Sequence, residues 1–384
     1  MRVAIIGAGL GGLCLAQGLR DSGVAVSVHE RDADMASRRQ GYRIHIGPGG
    51  AAALGQCLPP ALYELFVASS GQSAHKITVM NPRLRTLKEF PTNEPHVGMS
   101  VPADRRTLRQ VLLAGLDDVV RFGHDFKRYE LRGDRVHAYF SDGSKVEVDV
   151  LVGADGIGSV VRRQLLPDAE PVSTGTEIIY GKTLLDDATC ALVPAALCEG
   201  FVAVTASPRP MGMALGLLEL TERPPVAAAR LQPGLRVDDC SDYLMWALSG
   251  PSRSFPAALH EFDSKALRDV ALGVIRRWHP HLRDLVGRCE LHQTFALTVH
   301  ESPVIRPWLP SRVTVLGDAV HAMSPAGGSG ANVALQDAAL LRRVLTEGDP
   351  NDPIPSIAQY ETSMIDYGFA AIRASRQANQ RITP

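Results

Sequence analysis

Six residues near the start constrain the fold of this chain more than any others. Gly7-Ala8-Gly9-Leu10-Gly11-Gly12 fits the spacing G-x-G-x-x-G through Gly7, Gly9 and Gly12, and it follows the apolar run 2–6. A helical pattern comes next, with Leu13, Ala16 and Leu19 on one face. Gly7 permits a tight turn, Gly9 lets a pyrophosphate approach the backbone, and Gly12 lets helix and strand pack closely. The helix start then offers free amides and a positive dipole end to the phosphates. Residues 24–29 read as a second strand, and Glu30 at its end lies 18 positions past Gly12, where an acid accepts hydrogen bonds from a ribose diol. An acid there favours an unphosphorylated adenosine ribose, as in FAD or NAD, without choosing between them.

Strand, glycine turn, helix and strand in that order imply a parallel, doubly wound sheet. With 384 residues, 45% of them hydrophobic, the chain has material for more than that one unit. Helical patterns recur at 59–69 and 104–116, and 136–149 reads as a hairpin turning at Ser141-Asp142-Gly143-Ser144. From about 172 to 300 the texture changes: strand-like stretches at 176–185, 201–207 and 211–220, proline-rich connections, then a helical part over 238–285. Dinucleotide-type texture returns at 312–316, and a helical tail begins near Ser356. The expected class is α/β: a Rossmann-like dinucleotide-binding domain, which the motif over 313–338 makes an FAD-binding domain, interleaved with a substrate domain built on a largely antiparallel sheet. The expected division assigns 1–75, 100–171 and 301–345 to the cofactor domain and 76–99 and 172–300 to the substrate domain. Residues 346–384 form the C-terminal tail.

The choice of FAD rests on a second motif. Val313-Thr-Val-Leu-Gly317-Asp318-Ala-Val-His321-Ala-Met-Ser-Pro325 runs on into Gly327-Gly328-Ser329-Gly330-Ala331-Asn332 and Gln336-Asp337-Ala338. A strand delivers a carboxylate to the sheet edge, and a proline-fixed glycine turn opens a helix whose amides suit the negative charge of a reduced flavin ring. These residues resemble the second flavin-binding fingerprint of the class A flavoprotein monooxygenases, the family of para-hydroxybenzoate and salicylate hydroxylases. The resemblance implies that Asp318 binds the ribitol of FAD, while Pro325, Gly328, Gly330 and Asn332 surround the flavin ring and the place where oxygen reacts. His321 reads as a packing or capping residue. Asp155, in Val152-Gly-Ala-Asp155-Gly156, resembles the family aspartate that supports FAD and is linked to NAD(P)H binding. Ser100-Val-Pro-Ala-Asp-Arg105-Arg106 resembles the segment whose arginine meets the FAD phosphates, with Arg105 aligned best and Arg106 its neighbour. Arg38-Arg39-Gln40-Gly41-Tyr42-Arg43 is similar to the family loop near flavin and phosphates, which makes Arg39 a candidate cofactor contact. Two positions depart from the family pattern: Ser329 stands for a usual glutamine and Gln336 for a usual glutamate.

The resemblance implies an oxidoreductase that takes a hydride from NADPH or NADH and reacts with O2 through a flavin C4a-hydroperoxide. It would then hydroxylate a small organic substrate, aromatic or polyketide-like, with no acid–base dyad required. Epoxidation or Baeyer-Villiger chemistry, an oxygen-independent FAD reductase and a non-catalytic FAD module are the other readings. Isolated Trp246, Trp278 and Trp308 exclude the W-x-W-x-I-P pattern of tryptophan halogenases. Lys+Arg of 40 against Asp+Glu of 41 gives no field for a nucleic-acid partner, and six dispersed cysteines form no C-x-x-C pair for a zinc or dithiol centre. The glycines interrupt the N-terminal apolar run, and no stretch has the length of a membrane span, so the expectation is a cytoplasmic protein with no membrane span and no metal. Tyr180, Trp246 and Met213 are candidates for pocket lining, with core packing as the competing role. Oligomeric state is not legible.

Overall fold

The computed structural model describes residues 1–37, 41–72, 76–91, 99–207 and 210–382. Its first sheet is parallel throughout, in the order Val313–Val315, Val150–Gly153, Arg2–Ile6, Ala25–His29, Val120–Arg121. Val3, Ala4, Ile5, Val150, Leu151 and Val152 are buried on both faces, which is why these strands read as apolar runs and not as alternations. The first helix, Leu10–Asp21, begins three residues earlier than its apolar pattern predicts, because Leu10 and the two following glycines are already helical. Gly7 is held at φ +106°, and a Cβ there would lie 2.3 Å from the Ala154 carbonyl oxygen. The expected hairpin is present as Arg135–Phe140 and Lys145–Val148, extended by Phe126–Arg132.

The second sheet has seven strands in the order Phe295–Glu301, Val172–Leu184, Tyr243–Pro251, Met211–Leu218, Gly200–Ala206, Lys76–Met80, Thr86–Pro91. All its pairings are antiparallel except Gly200–Ala206 with Lys76–Met80. One face carries Met213, Leu215, Leu244, Trp246 and Leu248 against residues of the helices Ser264–Val274 and Pro280–Gly287. The other face carries Ile178, Tyr180, Leu218, Tyr243, Met245 and Ala247 and turns toward the parallel-sheet body, where Tyr42 packs on it.

Tyr243–Pro251 corrects the expected helical stretch 238–285. Tyr243 to Leu248 are all buried, alternate residues going to opposite faces, so the strand shows no polar–apolar alternation and its apolar run is indistinguishable from a buried helix. Trp246 and Met213 lie in the core on the helix-covered face, while Tyr180 points to the other.

The helix Gly330–Glu347 packs along Leu10–Asp21, and the final helix, Ile354–Ile382, packs on it in turn. Ile357, Tyr360 and Met364 enter the same core as the parallel sheet, and the Tyr360 hydroxyl donates to the Val315 carbonyl at 2.9 Å. Among the described residues, no helix is long and apolar enough to cross a membrane.

Candidate functional site

The glycine turn, the Gly317-Asp318 turn and the starts of two helices converge. A Cβ on Gly11 would lie 3.1 Å from the Ala334 carbonyl oxygen, and one on Gly317 would lie 3.1 Å from the Ala334 Cβ. The small side chain at 334 therefore brings the start of Leu10–Asp21 and the start of Gly330–Glu347 to one place. The first intrahelical bonds run from Leu13 N to Gly9 O and from Val333 N to Ser329 O. The amides of Leu10, Gly11 and Gly12, and those of Gly330, Ala331 and Asn332, donate to no described residue. Neither helix has a side-chain cap. Two sets of unpaired donors at positive dipole ends form a ready anion-binding arrangement.

The three fingerprint glycines differ in surroundings. Gly12 is packed so tightly that a Cβ would come within 2.2 Å of the Gly7 carbonyl oxygen, whereas a Cβ on Gly9 meets nothing within 4 Å. The protein leaves space above Gly9. Glu30 is 1% exposed and spans the turn: its Oε2 accepts from the Ala8 amide at 2.8 Å and its Oε1 from the Asp32 amide at 3.1 Å. Arg109 completes the arrangement, donating from Nε to the Ala8 carbonyl at 2.8 Å and standing 3.8 Å from Glu30 Oε2. Arg109 escapes a sequence reading, because its partner Ala8 is 101 positions away.

Asp318 is solvent-exposed although protein surrounds it, as at the floor of a cleft. Desolvation raises its carboxyl pKa, and the charges of His321 and Arg105 oppose the shift. The Arg105 charge thus acts at Asp318, and its guanidinium lies over the Tyr42 ring, 5.8 Å from the centroid. Arg106, the neighbouring candidate, instead pairs with Asp238 at 2.5 Å. Beneath Asp318, the buried Asp337 carboxylate accepts from the Gly317 amide at 2.8 Å, pairs with His321 Nε2 at 2.6 Å and accepts from the Tyr367 hydroxyl at 2.6 Å. Burial works to lower the His321 pKa, but Asp337 overrides it and the net shift is upward. His321 is thus a buried structural partner of Asp337 that anchors the turn. In the sequence its partner Asp337 stands only as one letter of the motif, and Tyr367, which donates to Asp337, only as one residue of the tail.

Pro325 opens a short 3-10 turn, Pro325–Gly327, and Gly328 follows at φ +61°; Pro325 and Gly328 are both exposed. Gly330 leaves room beside Asp318, its Cβ position lying 3.8 Å from the carboxylate. Asn332 holds this loop, donating from Nδ2 to the carbonyls of His45 at 2.8 Å and Gly328 at 3.0 Å, and accepting at Oδ1 from the Gly47 amide at 2.8 Å. Its amide is fully engaged with protein, which makes it a fastener of the loop. Asp155 is similarly occupied: Oδ2 accepts from the Val160 amide at 2.7 Å and Oδ1 from the Ser159 hydroxyl, while burial raises its pKa against these bonds. Arg39 lies outside the described residues.

The residues present fit FAD. Open space at Gly9, unpaired amides at two helix starts, an exposed carboxylate and the nearby charge of Arg105 supply complementary groups for phosphates, polyol and ring. A family model described as an FAD binding domain matches residues 273–348. A dual O-methyltransferase/FAD-dependent monooxygenase of Phaeosphaeria nodorum is 33% identical over 97% of this chain, which spans 45% of that protein. The chain covers less than half the length of the first curated relatives it matches. A 3-amino-4-hydroxybenzoate 2-monooxygenase of Streptomyces cremeus is 29% identical over 94% of this chain and 82% of its own length. Among solved structures, a Photorhabdus luminescens protein described as an FAD-containing monooxygenase superposes with a TM-score of 0.85 at 32% identity, covering 100% of this chain and 98% of that one.

Proposed function

The chain belongs to the class A FAD-dependent monooxygenase family, and from that premise we propose that it uses NADPH or NADH and O2 to hydroxylate a small aromatic or polyketide-like molecule. One observation carries the reading: the uncapped starts of Leu10–Asp21 and Gly330–Glu347 meet at Ala334, and the exposed Asp318 carboxylate lies 3.8 Å from the Cβ position of Gly330. Bound FAD supplies hydride acceptance and oxygen activation. The protein's part is to bind, orient and keep water out.

In this reading the amides of Leu10, Gly11 and Gly12 hold the pyrophosphate, with Arg105 adding charge, and Glu30 serves the adenosine ribose from beneath the turn. Asp318 binds the ribitol. The amides following Ser329 meet the ring and stabilise negative charge on it, while Pro325 and Gly328 shape its border. Asp155 and Asn332 act by fixing their loops. The division 1–75, 100–171 and 301–345 for cofactor, with 76–99 and 172–300 for substrate, belongs to the same proposal, and the helix beginning at Ile354 braces the first part. The substrate site then lies between the Gly328 turn and the Tyr180 face of the seven-stranded sheet, where apolar walls limit water.

The test is to purify the protein, confirm bound FAD, and follow NADPH, oxygen and hydrogen peroxide together across a panel of phenols and polyketides. A substrate should accelerate NADPH use and oxygen consumption without matching peroxide. Saturating FAD with NADPH oxidation that is independent of oxygen would move the assignment to a reductase.

A further inference from the structure

The short strand Arg43–Ile46 bridges the two halves of the space just assigned to substrate. Ile46 turns into the main core, and Arg43 and His45, of opposite parity, share the other side. At one end, His45 stands by the flavin-side turn: a Cβ on Gly328 would lie 3.8 Å from the His45 Cβ. At the other, Arg43 lies across the substrate sheet. A Cβ on Gly216 would come within 3.3 Å of the guanidinium carbon, so only glycine leaves the side chain its present course. Arg43 Nε donates to the Leu217 carbonyl at 2.8 Å, and the guanidinium stands 5.9 Å from the Phe201 ring centroid.

Among the described residues no Asp or Glu pairs with Arg43, and neither Nη atom donates to any of them. Burial lowers its pKa to about 10, and Tyr243 alone opposes the shift. Other arginines near this region have carboxylates: Arg109 has Glu30 and Arg106 has Asp238. Desolvating a guanidinium without a partner is costly, and an incoming anion with two oxygen acceptors relieves that cost. Nearby, Tyr180 stacks on Phe295 at 5.3 Å between centroids and on Tyr42 at 5.2 Å, giving flat apolar surface on the same sheet face. Gly212, Ala214 and Gly216 of Met211–Leu218 follow one another on that face, which keeps it open beneath Arg43.

We propose that Arg43 is a specificity-determining residue that recognises a delocalised oxyanion on a planar substrate, either a carboxylate or an ionised phenol or enol. The inference rests on the placement of substrate between the Gly328 turn and the sheet, and it extends that placement by assigning the substrate a negative charge at the end remote from the flavin. His45, held neutral because burial and the Arg43 charge lower its pKa to about 4, adds no second cation.

The test reads binding and not turnover, so it is separable from the monooxygenase assignment. FAD-loaded wild-type, Arg43→Gln and Arg43→Lys proteins are titrated with 1-hydroxy-2-naphthoate, its methyl ester and its methyl ether, following the flavin spectrum. Wild type should prefer the anion over the form whose anion has been blocked by ~10- to 100-fold, the range of a charge-assisted hydrogen bond in a partly desolvated site. Weakening by the ester identifies a carboxylate, and weakening by the ether identifies a phenolate. Arg43→Gln should bring the forms within about 2-fold of each other, and Arg43→Lys should retain part of the preference. An unchanged preference in Arg43→Gln at full flavin content overturns the proposal. So does loss of FAD from both variants, which would give the guanidinium to the cofactor. Abolished preference together with no substrate-stimulated oxygen uptake would keep the anion site and remove the monooxygenase reading.

Discussion

Gly9 and Gly12 belong to one motif, yet the structure predicts opposite failures when each gains a side chain. At Gly9 the backbone is extended, φ −79° and ψ −178°, and a Cβ meets no protein atom within 4 Å. Gly9→Ala should therefore fold as well as wild type or slightly better, by the ~0.4–1 kcal/mol that a compatible glycine replacement contributes through the unfolded chain. What it obstructs is the approach of phosphate to the amides of Leu10, Gly11 and Gly12. Losing two charge-assisted hydrogen bonds at ~1.5–3 kcal/mol each removes roughly 3–6 kcal/mol, about 10²- to 10⁴-fold in Kd, with Gly9→Val at the upper end. At Gly12 the Cβ would sit 2.2 Å from a backbone oxygen, so helix and strand must separate. Gly12→Ala should lose at least the ~1–3 kcal/mol of an overpacked core, before any ligand is considered. Urea melts of the flavin-free proteins and fluorescence titration with FAD separate the two effects. A well-folded Gly9→Val protein that binds FAD as wild type does would refute the assignment of that space to a phosphate.

Three further predictions concern single groups. Asp318→Ala should weaken FAD retention by about 10-fold or more, as expected for a lost hydrogen-bonding carboxylate, with little change in flavin-free stability because the residue is exposed; full stoichiometric flavin after extensive dialysis would contradict it. His29, whose pKa burial, helped by His124 and Arg121, lowers to about 3, should make folding acid-sensitive. The unfolded chain binds the proton first, so stability falls as pH drops below about 6.5, by about 2 kcal/mol at pH 5 from this group; equal wild-type and His29→Gln pH slopes would exclude it. Glu361 has the opposite sign: burial raises its pKa to about 7, so its contribution is lost as pH rises from about 4.5 to 7, worth roughly 3 kcal/mol. Glu361→Gln should remove that loss, giving a variant that gains on wild type between pH 5 and pH 8 in urea melts.

What the sequence discloses divides along physical lines. The glycine turn, Glu30 at the strand end and the 135–148 hairpin are legible because each is a local pattern with a fixed period or spacing. The Tyr243–Pro251 strand is not, since burial on both faces erases the alternation that distinguishes strand from helix. Site residues follow the same rule. Gly317-Asp318 is visible as a motif, but the support that Asp337 and Tyr367 give it depends on contacts 16 and 30 positions apart in sequence, from His321 and Tyr367 to Asp337. Arg109 meets the glycine turn across 101 positions, and Arg43 reaches Leu217 across 174. Such pairings have no local signature. The sequence favours Arg105 over its neighbour Arg106 without removing the latter, and the Asp238 partner of Arg106 distinguishes the two in space.

The most direct test of the central claim is isotopic. Turnover of the best substrate under ¹⁸O₂ should place one labelled oxygen atom in the organic product, with the other reduced to water and one NAD(P)H consumed per product. Product carrying oxygen from labelled water, or product formed without oxygen at all, would contradict the monooxygenase account.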